Sequence, residues 1–142
     1  EVEQAAQLFR QAMALNQGTG NLESEASNHV NLGMLAEVRR DYEAAEREYE
    51  RALELDKTAE QRMEIAADLK RLGRIAERRG FPDRGLVYSE RAYRSYLAQG
   101  AFAQARSALS QAVGCAKKME RAGDLARLEM ELTRLTASQS AR

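Results

Sequence analysis

Two side chains in this sequence are of types that take part in nucleophilic catalysis, yet neither stands in a catalytic pattern. His29 is the only histidine and Cys115 the only cysteine, so a Ser–His or Cys–His relay would have to use them. We expect His29 to be packed and hydrogen-bonded, and Cys115 to be a small buried hydrophobe. The sequence has no glycine-rich phosphate loop and no metal-ligand spacing. We therefore predict no enzyme, no metal site and no cofactor.

Other residues are spaced for binding rather than for catalysis. Lys70, Arg74 and Arg78 recur every four residues, so on a helix they share one face, and Lys117 and Arg121 have the same spacing. Such cations pair with carboxylates. An apolar face with this spacing comes earlier in the chain and consists of Val30, Met34 and Val38, with Asn31 beside them. Met is suited to adapt to an apolar side chain of a partner.

Helices must position these residues, because small residues recur at a fixed distance of 40. The corresponding positions include Ala5, Ala45 and Gly85, and also Ala12, Ala52 and Ala92. Ala, Leu, Glu, Arg and Gln dominate the composition and Pro occurs once, which favours helix. A period of this length is typical of stacked helix pairs, so we predict an all-α protein. The mid-helix Gly33 and Gly73 predict that a neighbouring helix approaches closely there.

The apolar periodicity predicts about seven helices in a single array over residues 1–135. We divide it into a second helix of an incomplete repeat (1–17), closed by Gly18, three repeats (22–56, 58–99 and 101–135) and a frayed tail (136–142). The fourth helix is expected to begin at Thr58, since Lys57 stands where a proline often closes a repeat. The sixth is expected to extend through Arg121. Because Glu1 falls inside a helical pattern, we expect the chain to be a piece of a longer protein.

One segment resembles a tetratricopeptide repeat closely. It contains Leu32-Gly33, Ala36, Asp41-Tyr42-Glu43, Ala45, Tyr49 and Ala52-Leu53-Glu54-Leu55-Asp56. A looser likeness extends over residues 1 to about 135, with a period of 40 instead of the family's usual 34. The resemblance implies a right-handed α-solenoid, a superhelix of antiparallel helix pairs. It also implies that the first helix of each pair lines a concave groove in which partners bind.

These observations predict a non-enzymatic scaffold for protein–protein interaction. Its groove would bind an acidic peptide with an apolar anchor through Val30, Asn31, Met34, Val38, Lys70, Arg74, Arg78, Lys117 and Arg121. The alternative for the cations is an ordinary solvated stripe paired with Asp68 and Glu77. The alternative for the apolar face is cover by segments that precede residue 1. The alternative function is a regulatory or sensory module of a larger signalling or transcription-regulating protein.

Composition limits the other classes of partner. Lys and Arg number 22 and Asp and Glu number 22, so no bulk charge attracts nucleic acid or membrane surfaces. No apolar run approaches the roughly 20 residues of a membrane span. A single cysteine is compatible with a reducing compartment, and we take the cytoplasm as the default location. The array ends are candidates for self-association, through Val2, Leu8 and Phe9 or through Leu128, Met130 and Leu132.

Overall fold

The structure is a computed structural model that describes residues 1–16 and 20–141. Within these residues it contains seven α-helices and no strand, which confirms the all-α prediction. The helices are α1 (Val2–Asn16), α2 (Leu22–Val38), α3 (Tyr42–Thr58), α4 (Arg62–Arg78), α5 (Pro82–Ala98), α6 (Phe102–Lys118) and α7 (Ala122–Ser140). The chain divides into two compact units, Glu1–Asp68 and Leu69–Arg142, and each is described by itself below.

Helix ends follow a spacing of 20 residues. A residue with positive φ stands at each end, and these residues are Gly20, Arg40, Glu60, Gly80, Gly100 and Glu120, with φ from 55° to 86°. The next N–H then reaches back to a carbonyl five residues earlier, as in Gln61 N to Asp56 O (2.9 Å) and Phe81 N to Ala76 O (2.8 Å). This pair of features is the Schellman ending of a helix. The sequence period of 40 is therefore two helices with equal register.

These endings correct four predicted boundaries. Helix α3 continues to Thr58 and α4 begins at Arg62, because the turn is made at Glu60 and not at Lys57. Helix α6 stops at Lys118, because Glu120 takes a left-handed conformation, and this leaves Arg121 outside it. Helix α7 extends through Ser140, so the stretch from residue 136 that we expected to fray is helical. The first helix ends at Asn16, and residue 17 and the expected cap Gly18 lie outside the described residues.

In the first unit, α2 packs on α3 around one aromatic ring. Ala45, Tyr49 and Ala52 of α3 are fully buried. Tyr49 lies so close to α2 that a Cβ at Gly33 would stand 2.5 Å from its Cε1 atom. The Tyr49 hydroxyl donates a hydrogen bond to the Glu37 carboxylate. The close approach predicted at Gly33 is confirmed, although the group that approaches is a ring and not a backbone.

In the second unit, α4, α5 and α6 meet at glycine and serine. A Cβ at Gly73 would stand 3.2 Å from the Gly85 carbonyl oxygen, so the close approach predicted there does involve backbone. Ser89 is fully buried and donates to the Gly85 carbonyl at 2.6 Å. Its hydroxyl also accepts a hydrogen bond from Gln111 Nε2 at 2.8 Å. These bonds satisfy a buried hydroxyl that would otherwise cost about 1–3 kcal/mol.

Candidate functional site

The α4 basic face consists of Lys70, Arg74 and Arg78, which lie on one continuous helix as their spacing predicts. The Lys70 ammonium donates to Ser107 Oγ of α6 at 2.6 Å. Burial lowers the pKa of Lys70 from its ordinary value, and the nearby positive charges of Arg74 and then Arg71 lower the pKa further. Like charges are therefore crowded on this face, so that an anion bound here would reduce their mutual repulsion.

The two cations predicted on the sixth helix lie in different elements. Lys117 is exposed in the last turn of α6. Arg121 is the N-cap of α7, and its nearest carboxylate oxygen is Asp124 Oδ2 at 3.7 Å. A spacing of four residues keeps side chains on one face only while the helix continues. Arg121 instead lines a cavity on α5, which the sequence analysis did not identify.

A lysine that the sequence analysis passed over is the one that contacts α4. Lys118 stands 40 residues after Arg78, and its amine lies 2.9 Å from Glu77 Oε1. The repeat register, rather than the four-residue spacing within α6, is the signal that could have found it. In this pair, Glu77 is a partner of α6, so one expected neutralising group of the α4 basic face is engaged elsewhere.

The α2 apolar face consists of Val30, Met34 and Val38, and its exposure increases along the helix. Val30 and the neighbouring Asn31 are half-buried, whereas Met34 and Val38 are 38% and 37% exposed. Only the second half of the face is therefore open to a partner. Exposed apolar side chains that lie together are a common mark of a docking surface.

The histidine and the cysteine have the surroundings that the sequence predicts. His29 is half-buried, and its Nδ1 lies 2.7 Å from Glu48 Oε2 of α3. Cys115 is fully buried, and its Sγ lies 3.7 Å from Glu77 Oε2. Burial, with the Glu77 carboxylate as the next cause, raises the pKa of the Cys115 thiol to about 12. The reactive thiolate is therefore scarce at neutral pH.

Two further surveys bear on partners and cofactors. Among residues 1–16 and 20–141, no three His, Cys, Asp or Glu side chains are grouped so that they could hold a metal ion. None of the helices in this described part is both long and apolar enough to cross a membrane.

The family resemblance is confirmed by comparison with known proteins. The tetratricopeptide repeat family matches residues 26–59, which contain most of α2 and all of α3. The repeated helical architecture fits the same family. No curated protein gives a significant match to the chain. Tetratricopeptide repeats generally mediate protein–protein interaction and are typically non-enzymatic scaffolds, so proteins are the class of partner that the match indicates.

Proposed function

We propose that this protein is a non-enzymatic interaction module whose α4 basic face binds an acidic segment of a partner protein. The observation that carries the proposal is the crowding of cations around Lys70, whose pKa is lowered by burial and by its arginine neighbours. A carboxylate placed among them accepts charge-assisted hydrogen bonds, which contribute about 1.5–3 kcal/mol each. Arg74 and Arg78 add the planar guanidinium fork that suits a carboxylate.

The α2 apolar face supplies a separate contact in this proposal. Met34 and Val38 are exposed there, and a flexible thioether accommodates apolar side chains of different shape. This contact contributes affinity through apolar burial, at about 25 cal/mol per Å², and depends little on salt. The contact with the α4 basic face weakens as salt screens it. Salt dependence therefore separates the two contributions.

Binding of a labelled acidic peptide pool tests the basic contact. The pool consists of nine-residue peptides with Asp or Glu at alternate positions, and its matched pool carries Asn or Gln there. Fluorescence anisotropy should give preferential binding of the acidic pool. The double substitution Lys70→Glu/Arg74→Glu should weaken this binding at least tenfold, because two attractive contacts become repulsive.

The control is Arg94→Glu/Arg134→Glu, which changes the net charge equally at exposed residues of α5 and α7. It should leave the affinity within twofold. Equal losses in both double variants would mean that only net charge matters, and unchanged binding by Lys70→Glu/Arg74→Glu would refute the basic contact.

The apolar contact has its own pair of variants. Met34→Asp should weaken a neutral pool that carries Leu at alternate positions, because the charge must be desolvated against an apolar side chain. Met130→Asp is the matched control, since Met130 is 58% exposed on α7, away from α2. If both substitutions leave binding of the neutral pool unchanged, the α2 contact is wrong while the basic contact stands.

A further inference from the structure

The second unit carries a cavity that the proposed function does not use. Its volume is about 430 Å³, and its lining consists of Asp83, Arg84, Val87, Tyr88, Arg91 and Arg121. The first five residues lie on α5 at successive helical turns, and Arg121 comes from the start of α7. We name this site the α5 cavity. It is built from side chains that the spacing of the chain places on one helix face, closed by one residue from another element.

The charge of the α5 cavity is strongly unbalanced. Three guanidinium groups line it against the single carboxylate of Asp83, which leaves an excess of two positive charges. Arg84 is held over the ring of Phe81, with 4.6 Å from its guanidinium carbon to the ring centroid. Arg91 is exposed and makes no ion pair within the described part of the chain. The cavity therefore presents guanidinium groups to a ligand rather than to acidic neighbours.

The apolar part of the lining indicates what is attached to the anion. Val87 is 59% exposed, and Tyr88 beside it is half-buried. A free inorganic anion has no use for these side chains, whereas a peptide can cover them with an apolar residue. Exposed valine at the rim of a cationic cavity thus favours an anionic group carried by a polypeptide.

We propose that the α5 cavity binds a phosphorylated side chain of a partner protein. A phosphomonoester carries about −1.5 to −2 charges at neutral pH, which matches the excess of the lining, whereas a carboxylate carries one. Its three terminal oxygens can accept from several guanidinium N–H groups at once, and recognition by arginine clusters is a known mode for such ligands. Val87 contacts an apolar residue next to the phosphorylated one.

Three degenerate peptide pools that differ at one central residue test this inference. The centre is phosphoserine, serine or glutamate, and Leu stands beside it. The wild-type chain should bind the phosphoserine pool at least tenfold more tightly than either of the others. Arg91→Glu should abolish this preference, and Arg91→Lys should weaken it about threefold, because lysine keeps the charge but loses the bidentate fork.

Arg94→Glu is the matched control, because it makes the same change on α5 at a residue that is paired with Glu90. It should keep the preference, and so should Lys70→Glu/Arg74→Glu, which keeps this test independent of the one for the proposed function. Circular dichroism of each variant checks folding, and Arg84→Gln serves as a second probe if Arg91→Glu unfolds.

Four outcomes would overturn the inference. The first is equal binding of the phosphoserine and serine pools by the wild-type chain. The second is equal binding of the glutamate and phosphoserine pools, which would make the ligand a carboxylate. The third is an equal loss in Arg91→Glu and Arg94→Glu, which would mean that net charge alone matters. The fourth is a preference that survives Arg91→Glu and disappears in Lys70→Glu/Arg74→Glu.

Discussion

The ring of Tyr49 lies against Gly33, so closely that a Cβ at position 33 would stand 2.5 Å from Tyr49 Cε1. Both residues are buried, and α2 and α3 pack together at this point. The contact explains why a residue with low helix propensity stands in the middle of α2. The pairing of these two helices is the local structure on which the first unit depends.

Substitution Gly33→Ala should destabilise the protein. The added methyl group forces the fully buried Tyr49 ring to move, and overpacking of this kind costs about 1–3 kcal/mol. The gain in helix propensity, about 1 kcal/mol, offsets only part of this cost. Urea unfolding monitored by circular dichroism measures the difference.

Gly123→Ala is the control for that experiment. A Cβ at Gly123 of α7 would meet no atom within 4 Å in the described part of the chain. This variant should be as stable as the wild type or slightly more stable, because only the helix propensity changes. A Gly33→Ala protein with unchanged stability would mean that the α2–α3 contact is looser than the structure indicates.

Substitution Glu60→Gly should stabilise the protein by up to about 1 kcal/mol. Glu60 has a φ of 56°, in the left-handed region that costs an L-residue about 1–2 kcal/mol and glycine almost nothing. Part of that gain is lost because glycine makes the unfolded chain more flexible. Gly80→Ala, at a φ of 86°, should destabilise in return. Thermal unfolding of the two variants checks the opposite signs, and a shift of the same sign in both would contradict the helix-ending geometry.

Stability should fall at alkaline pH through Cys115. Its pKa rises from the ordinary 9.0 to about 12 in the folded protein, so between these values the folded state holds a proton that the unfolded state has released. The contribution of the thiol to stability is therefore complete below pH 9 and is lost as the pH rises toward 12. The difference in unfolding free energy between wild type and Cys115→Ala should shrink over this range.

Other groups that titrate there are common to both proteins and cancel in the difference. Tyr93, for example, also has a raised pKa, caused first by burial and then by Glu131. A difference between wild type and Cys115→Ala that stays constant from pH 9 to 11 would show that the thiol is not buried as described.

The sequence predicts the elements well because their signals are local. The spacing of Lys70, Arg74 and Arg78 and the mid-helix Gly73 are read correctly from one helix at a time. The helix endings at Glu60 and Glu120 are missed, because glutamate rarely adopts a left-handed conformation and gives no turn signal. Only the regular spacing of 20 residues from Gly80 and Gly100 could have revealed them.

The candidate sites are harder to predict because they depend on packing between helices. No local pattern shows that Lys70 reaches Ser107, since these residues are 37 positions apart. The position of Arg121 depends on where α6 ends, so an error of one turn moves it from the face of α6 to the α5 cavity. Sequence patterns thus identify the basic residues, and the register between helices decides which of them act together.

The most direct test of the proposed interaction is a map of backbone amide chemical shifts during titration with the acidic peptide pool. The account predicts that the largest changes fall on Lys70, Arg74 and Arg78 of α4 and on Ser107 across from them, and that they diminish as salt is raised. Changes that leave these residues unaffected while the peptide binds would contradict it.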